Sequence, residues 1–203
     1  MTIGKRLADV FFVLLFLIPL APVIFLVLLA VLVLDGKPIF YVSERMKTPD
    51  QGFYLWKFRT MRPDKHDFGV SGGDKTTRIT RTGNFLRKYR LDELPQLWNI
   101  LKGDISFVGP RPPLRHYVEK FPDLYGRVLK SRPGVTGLAT LAYHKTEEEL
   151  LLPCETAAET EDTYCRRCVP RKAKLDLIYA ENRNLCYDLK LMTATVLRKI
   201  SLH

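Results

Sequence analysis

From Val10 to Leu34 the chain runs for 25 residues without a formal charge, nearly all of them large and apolar. At ~1.5 Å per residue, a straight helix of that length reaches about 37 Å, enough to cross a bilayer core of about 30 Å. A cleaved signal peptide has an apolar region of only about 7–15 residues, and no small-x-small site precedes Asp35. Any fold for this chain must therefore accommodate a segment suited to lipid. Pro19 and Pro22 interrupt the run near its middle, each removing a backbone donor and crowding the turn before it. Lys5 and Arg6 precede the run, and Lys37, Arg45 and Lys47 follow it. Flanking charge thus gives a crossing no preferred direction. Two readings fit: a kinked spanning helix whose backbone is re-satisfied by neighbours, or a helix that bends and returns to the side it entered.

The rest of the chain differs in kind. Lys5, Arg6 and Asp9 are the only charges among the first 34 residues, so nearly all of the net +10, from 32 Lys+Arg against 22 Asp+Glu, lies beyond them. A basic surface selects anionic partners: nucleic acid, anionic lipid or a phosphorylated substrate. The length, 203 residues, suits one domain with its own core plus the membrane segment.

Ile39 to Arg45 and Gly52 to Phe58 are rich in aromatic and β-branched residues, with Pro49, Asp50 and Gly52 between them, which predicts a hairpin. Met61 to Thr82, with Ser71-Gly72-Gly73-Asp74, reads as a polar loop. Helices are predicted from Thr82 to Arg90 and from Leu94 to Lys102, the latter opened by Pro95 and closed by Gly103. Further helices are expected over Leu114 to Leu129, interrupted at Pro122, and over Arg171 to Asn182 and Tyr187 to Ile200. Several mix apolar stripes with Lys and Arg, as a solvated core helix or a helix on a membrane interface does.

The sequence has no Walker A loop, dinucleotide glycine fingerprint, nucleophile elbow or His-rich metal motif. What it has is four short elements in order: Lys57-Phe58-Arg59-Thr60-Met61, Leu91-Asp92-Glu93-Leu94-Pro95-Gln96-Leu97, Gly109-Pro110-Arg111-Pro112, and Arg132-Pro133-Gly134-Val135-Thr136-Gly137. Asp92 and Glu93 precede a helix start, where the dipole favours an ionised carboxylate. Being adjacent, they face different ways and take different partners. Capping and surface charge would explain the pair taken alone. Arg111, fixed between two prolines, presents a guanidinium in one direction, as bidentate phosphate recognition requires. An exposed Arg on a rigid turn is the plainer account of it.

Taken together, these elements resemble the bacterial sugar transferase family, the monotopic phosphoglycosyl transferases, from the N-terminal helix to about Ala139 and again from Lys174 to Ile200. The resemblance implies a mostly helical α+β fold, with amphipathic interfacial helices around a small β-hairpin. Residues 1–36 would form a re-entrant membrane helix bent at Ala21-Pro22, where relatives usually carry Ser or Asn before the proline. Residues 37–203 would form the catalytic domain on the cytoplasmic face of a bacterial inner membrane, in contact with its phospholipid. The implied reaction moves a phosphosugar from a UDP-sugar to polyprenyl (undecaprenyl) phosphate. Asp92 is the implied nucleophile and a Mg²⁺ ligand, and Glu93 its dyad partner. Arg111, Arg87, Lys57 and Arg59 match positions that neutralise phosphate charge. A nucleotide-sugar hydrolase, or a membrane-anchored basic module without catalysis, is the alternative. The family's partners include no nucleic acid; monomer and homodimer both stay open.

Residues 141–169 leave the family pattern and form an acidic, variable insert. All four cysteines lie at or beyond Cys154, with Cys165 and Cys168 in a Cys-x-x-Cys arrangement. A structural zinc on Cys154, Cys165 and Cys168, completed by Cys186 or His144, and a redox pair at Cys165 and Cys168 are the alternatives to ordinary thiols. A lone Cys-x-x-Cys favours the thiols.

Overall fold

The computed structural model describes residues 2–64, 70 and 72–201; Ser71, part of the expected polar loop, lies outside them. Helix α1 covers Ile3–Ala30, running through Pro19, Ala21 and Pro22, and a wider turn continues it over Val31–Asp35. The hydroxyl of Thr2 caps its start, accepting from the Lys5 amide at 3.3 Å. The predicted hairpin is present as β1 (Phe40–Met46) and β2 (Gly52–Phe58), antiparallel from Phe40↔Phe58 to Met46↔Gly52.

Part of the expected loop is a short, tightly wound helix, Gly73–Arg78, before α2 (Arg81–Tyr89). A tight turn at Leu91–Glu93 leads into α3 (Gln96–Lys102). Strand β3 (Ser106–Val108) is followed by α4 (Arg115–Lys120) and α5 (Pro122–Val128), separated as Pro122 predicts, and then by β4 (Gly134–Thr136). β3 and β4 pair in parallel, Ser106 with Gly134 and Val108 with Thr136. The remainder is helical: α6 (Leu138–Leu151), α7 (Ala157–Thr163), a wide turn at Tyr164–Cys168, α8 (Val169–Asn182) and α9 (Leu185–Ser201). The fold is a mostly helical α+β arrangement, and the insert consists of helices where the sequence offered no clear period.

Helix α1 is long and apolar enough to cross a membrane, yet it lies along the domain. Near its start, the Arg6 guanidinium donates to the carbonyls of Ile100 and Leu101, each at 2.5 Å. Lys5 pairs with Asp188 of α9. Asp9 accepts from the Ser106 hydroxyl at 2.9 Å and the Phe107 amide at 3.2 Å. Farther along, Val13, Leu20 and Ile24 pack with Phe53, Leu55, Leu97, Ile100 and Ile105. Val27 and Val31 join Phe58 and Leu86. The opposite face leaves Phe11, Leu15, Ile18, Phe25, Leu26 and Leu34 exposed, a burden in water that lipid relieves. A second core, from Met46, Tyr117 and Val128 to Tyr143, Cys168 and Ala173, joins the insert to α4, α5 and α8.

Candidate active site

The reactive-looking pair sits on the short turn between α2 and α3. Arg90 ends α2 in the left-handed region, with φ 57°, a conformation that costs a non-glycine residue about 1–2 kcal/mol. The reversal starts the Leu91–Glu93 turn, and the Glu93 amide donates back to the Arg90 carbonyl at 3.3 Å. Asn99, on α3 just after this turn, ties that helix to β2. Fully buried, its side-chain oxygen accepts from the Trp56 amide at 3.1 Å, and its amide group donates to the Tyr54 carbonyl at 2.8 Å. The strand end carrying Lys57 is thereby held beside the dyad.

Asp92 and Glu93 are both buried, yet their surroundings differ. Glu93 Oε1 accepts from Lys57 Nζ at 2.9 Å, Arg90 Nη1 at 3.2 Å and Arg111 Nη2 at 3.4 Å. Burial acts to raise its pKa, but Lys57, Arg111 and Arg90 outweigh it and hold the carboxyl well below the usual range. Asp92 goes the other way. Burial pushes its carboxyl above the ordinary aspartate value, with Glu93 adding to the rise while Lys57, Arg90 and Arg87 oppose it. Its Oδ1 is buried with no hydrogen-bond partner, a condition buried polar atoms rarely tolerate without a functional reason.

Of the four cations singled out in the sequence, the structure brings three to the dyad. Lys57 and Arg111 touch Glu93, and burial lowers the Lys57 ammonium pKa. Arg87 donates to Thr60 Oγ1 at 3.0 Å and Met61 Sδ at 3.1 Å, and its charge acts on Asp92. Arg59 is engaged elsewhere. Its guanidinium donates to the carbonyls of Pro38 and Asp35, both at 2.6 Å, and of Gly36 at 2.8 Å, clamping the chain as it leaves α1. Arg90 takes the vacant place, and only its position just before Leu91-Asp92-Glu93 marked it in the sequence. Lys57, Arg87, Arg90 and Arg111 against Asp92 and Glu93 leave two positive charges in excess. That excess suits a ligand carrying two phosphates.

The Pro-Arg-Pro segment is set by the β3–β4 pair, where main chains meet without room for side chains. A Cβ on Gly109 would lie 2.1 Å from the Arg132 carbonyl oxygen, and one on Gly134 2.2 Å from the Gly109 nitrogen. The Gly134 amide donates to the Pro110 carbonyl at 2.8 Å. The third and fourth motifs are thus one structural unit, and Arg111 projects from it.

Among the described residues, the cysteines are not gathered with other ligand side chains into one cluster. Cys154, Cys165 and Cys168 are buried. Cys165 donates to Glu161 Oε1 at 3.2 Å, and burial pushes the Cys168 thiol up to about 11. Among the described residues, no group of three or more His, Cys, Asp or Glu side chains is placed to hold a metal.

The family model described as "Bacterial sugar transferase" matches residues 1–201. An uncharacterized sugar transferase of Bacillus subtilis, EpsL, is 36% identical over 197 residues, covering 97% of this chain and 86% of that protein. A UDP-glucose:undecaprenyl-phosphate glucose-1-phosphate transferase of Klebsiella pneumoniae is 32% identical over 198 residues, covering 96% of this chain and 39% of that protein. A UDP-N-acetylgalactosamine-undecaprenyl-phosphate N-acetylgalactosaminephosphotransferase of Aeromonas hydrophila is 31% identical over 165 residues, covering 78% of this chain and 34% of that protein. The chain thus spans little more than a third of these two relatives and most of the first. It belongs to the bacterial sugar transferase family.

Proposed function

We propose that the protein transfers a phosphosugar from a UDP-sugar to polyprenyl phosphate, by way of a covalent intermediate on Asp92. In the first step a carboxylate oxygen of Asp92 attacks the sugar-bearing phosphorus. The bond from that phosphorus to the bridging oxygen breaks, and UMP leaves with the electron pair. In the second step an oxygen of the polyprenyl phosphate attacks the same phosphorus and expels the Asp92 carboxylate, giving polyprenyl-diphospho-sugar. One displacement is thereby split into two.

The observation that carries this reading is the unequal treatment of two adjacent carboxylates. Glu93 collects the contacts of three cations, while Asp92 keeps a buried oxygen without a partner. Glu93 serves to hold Lys57, Arg90 and Arg111 in place without Asp92 being tied into their ion pairs. The orphaned Oδ1 also fits Mg²⁺, a hard cation that binds through one carboxylate plus substrate phosphates. When bound, Mg²⁺ would supply positive charge to the phosphates, with Asp92 as its protein ligand.

The placement of α1 supports a membrane location with both helix ends on one side. Lys5, Arg6 and Asp9 at one end, Val13 and Ile24 along its length, and Val31 and Asp35 at the other all engage the same domain. A perpendicular crossing would take about 30 Å of helix away from a domain lying on one side. We therefore read α1 as re-entrant, with the catalytic domain at the cytoplasmic face of the inner membrane, where a polyprenyl phosphate headgroup is within reach of Asp92.

Incubation with UDP-glucose and UDP-N-acetylgalactosamine in turn, with Mg²⁺ and no acceptor, tests the chemistry. Intact-protein mass spectrometry is expected to show one phosphosugar added to the wild type and none to Asp92→Asn. Lipid-linked product formed at the wild-type rate by Asp92→Asn would refute the covalent mechanism, and free sugar phosphate as sole product would make the protein a hydrolase.

A further inference from the structure

The insert reaches the site through a small cavity of about 60 Å³ behind the Pro-Arg-Pro turn, whose lining includes Arg45, Arg111, Tyr125, Glu147, Lys172 and Asp176. Arg111 therefore has two sides. Toward the dyad its Nη2 lies 3.4 Å from Glu93 Oε1. The cavity on its other side is lined also by two other cations, Arg45 from β1 and Lys172 from α8, and by Glu147 from α6. Glu147 is fixed there by a 2.7 Å contact with Lys172 Nζ, which also donates to the Tyr164 hydroxyl at 3.3 Å. Burial works against the charge on Arg111; Glu93 and then Glu147 are the largest influences that sustain it. Asp176 is a poorer anchor: burial pushes its carboxyl up to about 7, so near neutrality it carries only part of a charge.

We propose that Glu147 is a positioning residue for Arg111. Lining the same cavity as the guanidinium, and fixed there by Lys172, it offsets the repulsion between Arg111 and the cations Arg45 and Lys172. Arg111 is then held at the edge of the dyad, in contact with Glu93, where its remaining donors are available to a substrate phosphate. A residue of the variable insert, outside every motif of the resemblance, would thus tune binding of the nucleotide sugar. The inference rests on the phosphosugar-transfer reading above.

The test is donor kinetics by UMP release from the full-length protein in lipid nanodiscs, with UDP-glucose or UDP-N-acetylgalactosamine, whichever is turned over. Glu147→Gln is expected to raise the donor KM about tenfold while changing kcat less than about twofold, the pattern of lost ground-state binding. Glu147→Asp, which keeps the charge, is expected to recover most of that loss. In an Arg111→Lys background Glu147→Gln should add less than about twofold, because residues acting through one another are not additive. A full tenfold further effect in that background overturns the assignment, as does an unchanged KM in Glu147→Gln. If Glu147→Gln is poorly folded, a KM still raised about tenfold in a well-folded Glu147→Asp overturns it. Absence of UMP release by the wild type from any UDP-sugar, by contrast, removes the transferase reading itself.

Discussion

Arg59→Met separates a structural arginine from a substrate-binding one. In the structure Arg59 is buried and donates to three main-chain carbonyls at 2.6, 2.6 and 2.8 Å. Those of Asp35 and Gly36 belong to the end of the first helix, where the dipole favours a cation. Hydrogen bonds to a charged group contribute about 1.5–3 kcal/mol each. The segment from Asp35 to Pro38 is partly exposed, so its carbonyls recover some hydration when the donor is lost, and the cost should be about 2–5 kcal/mol rather than the full sum. Against a typical stability of about 5–15 kcal/mol this is large. For a chain of this size it corresponds to a Tm lower by about 4–20 °C. Met keeps most of the aliphatic stem, so the effect isolates the guanidinium. Thermal unfolding by circular dichroism in detergent, combined with donor kinetics normalised to folded protein, is the assay. The expected result is a clear loss of Tm with the donor KM changed less than about threefold. An unchanged Tm with a KM raised tenfold or more would refute the clamp and restore the phosphate role that the Lys-Phe-Arg motif implied.

Three further outcomes follow from the site and the helix. Only the ionised Asp92 can attack, so adduct formation should fall as pH drops through its raised pKa; Lys57 is the charge that lowers that pKa most, and Lys57→Met should move the acid limb of single-turnover rates to higher pH. Glu93 has a depressed folded pKa, so its stabilisation is present above the unfolded value near 4.5 and fades as pH falls below it. The Tm difference between wild type and Glu93→Gln should accordingly shrink between pH 7 and pH ~3, and a constant difference would contradict the pairing. Finally, Gly4→Cys and Lys37→Cys, at exposed positions flanking the apolar helix, should label from the same side of oriented membrane vesicles in a Cys186→Ser background. Labelling from opposite sides would establish a spanning helix.

Local chemistry explains which parts of this arrangement were legible beforehand. The hairpin showed in its β-branched and aromatic runs, and helices α2, α3, α8 and α9 lie within a few residues of their expected limits because period and punctuation agree there. Lys57 and Arg59, two residues apart, suggest one shared face in a strand. β2 ends at Phe58, however, and past its end the alternation no longer governs direction, so Arg59 turns to the helix terminus. Arg90 carried no sign of its left-handed backbone, since neither Gly nor Asn marks the position. Strands β3 and β4 are three residues each, too short to show a period. In the insert one signal went unread: Thr156 and Glu159 form a capping box at the start of α7, a pattern visible as Thr-x-x-Glu.

The electrostatics also give a reason for aspartate, rather than its neighbour, to be the proposed nucleophile. A carboxylate held by three cations is strongly stabilised as the anion, and that stabilisation must be given up when it forms a bond to phosphorus. Glu93 is in that condition. Asp92 is desolvated, lacks a partner at Oδ1 and has its pKa raised; its anion is less stabilised and correspondingly more basic. The cations cannot simply be dispensed with, because an incoming diphosphate adds charge that a buried aspartate alone would repel. Confining Lys57, Arg90 and Arg111 to Glu93 resolves the conflict: the positive field reaches the substrate while no ion pair quenches the attacking oxygen. Exchanging the two side chains, Asp92→Glu with Glu93→Asp, should then abolish adduct formation even if the fold survives. The longer carboxylate at 92 would reach the cations, and the shorter one at 93 would release them.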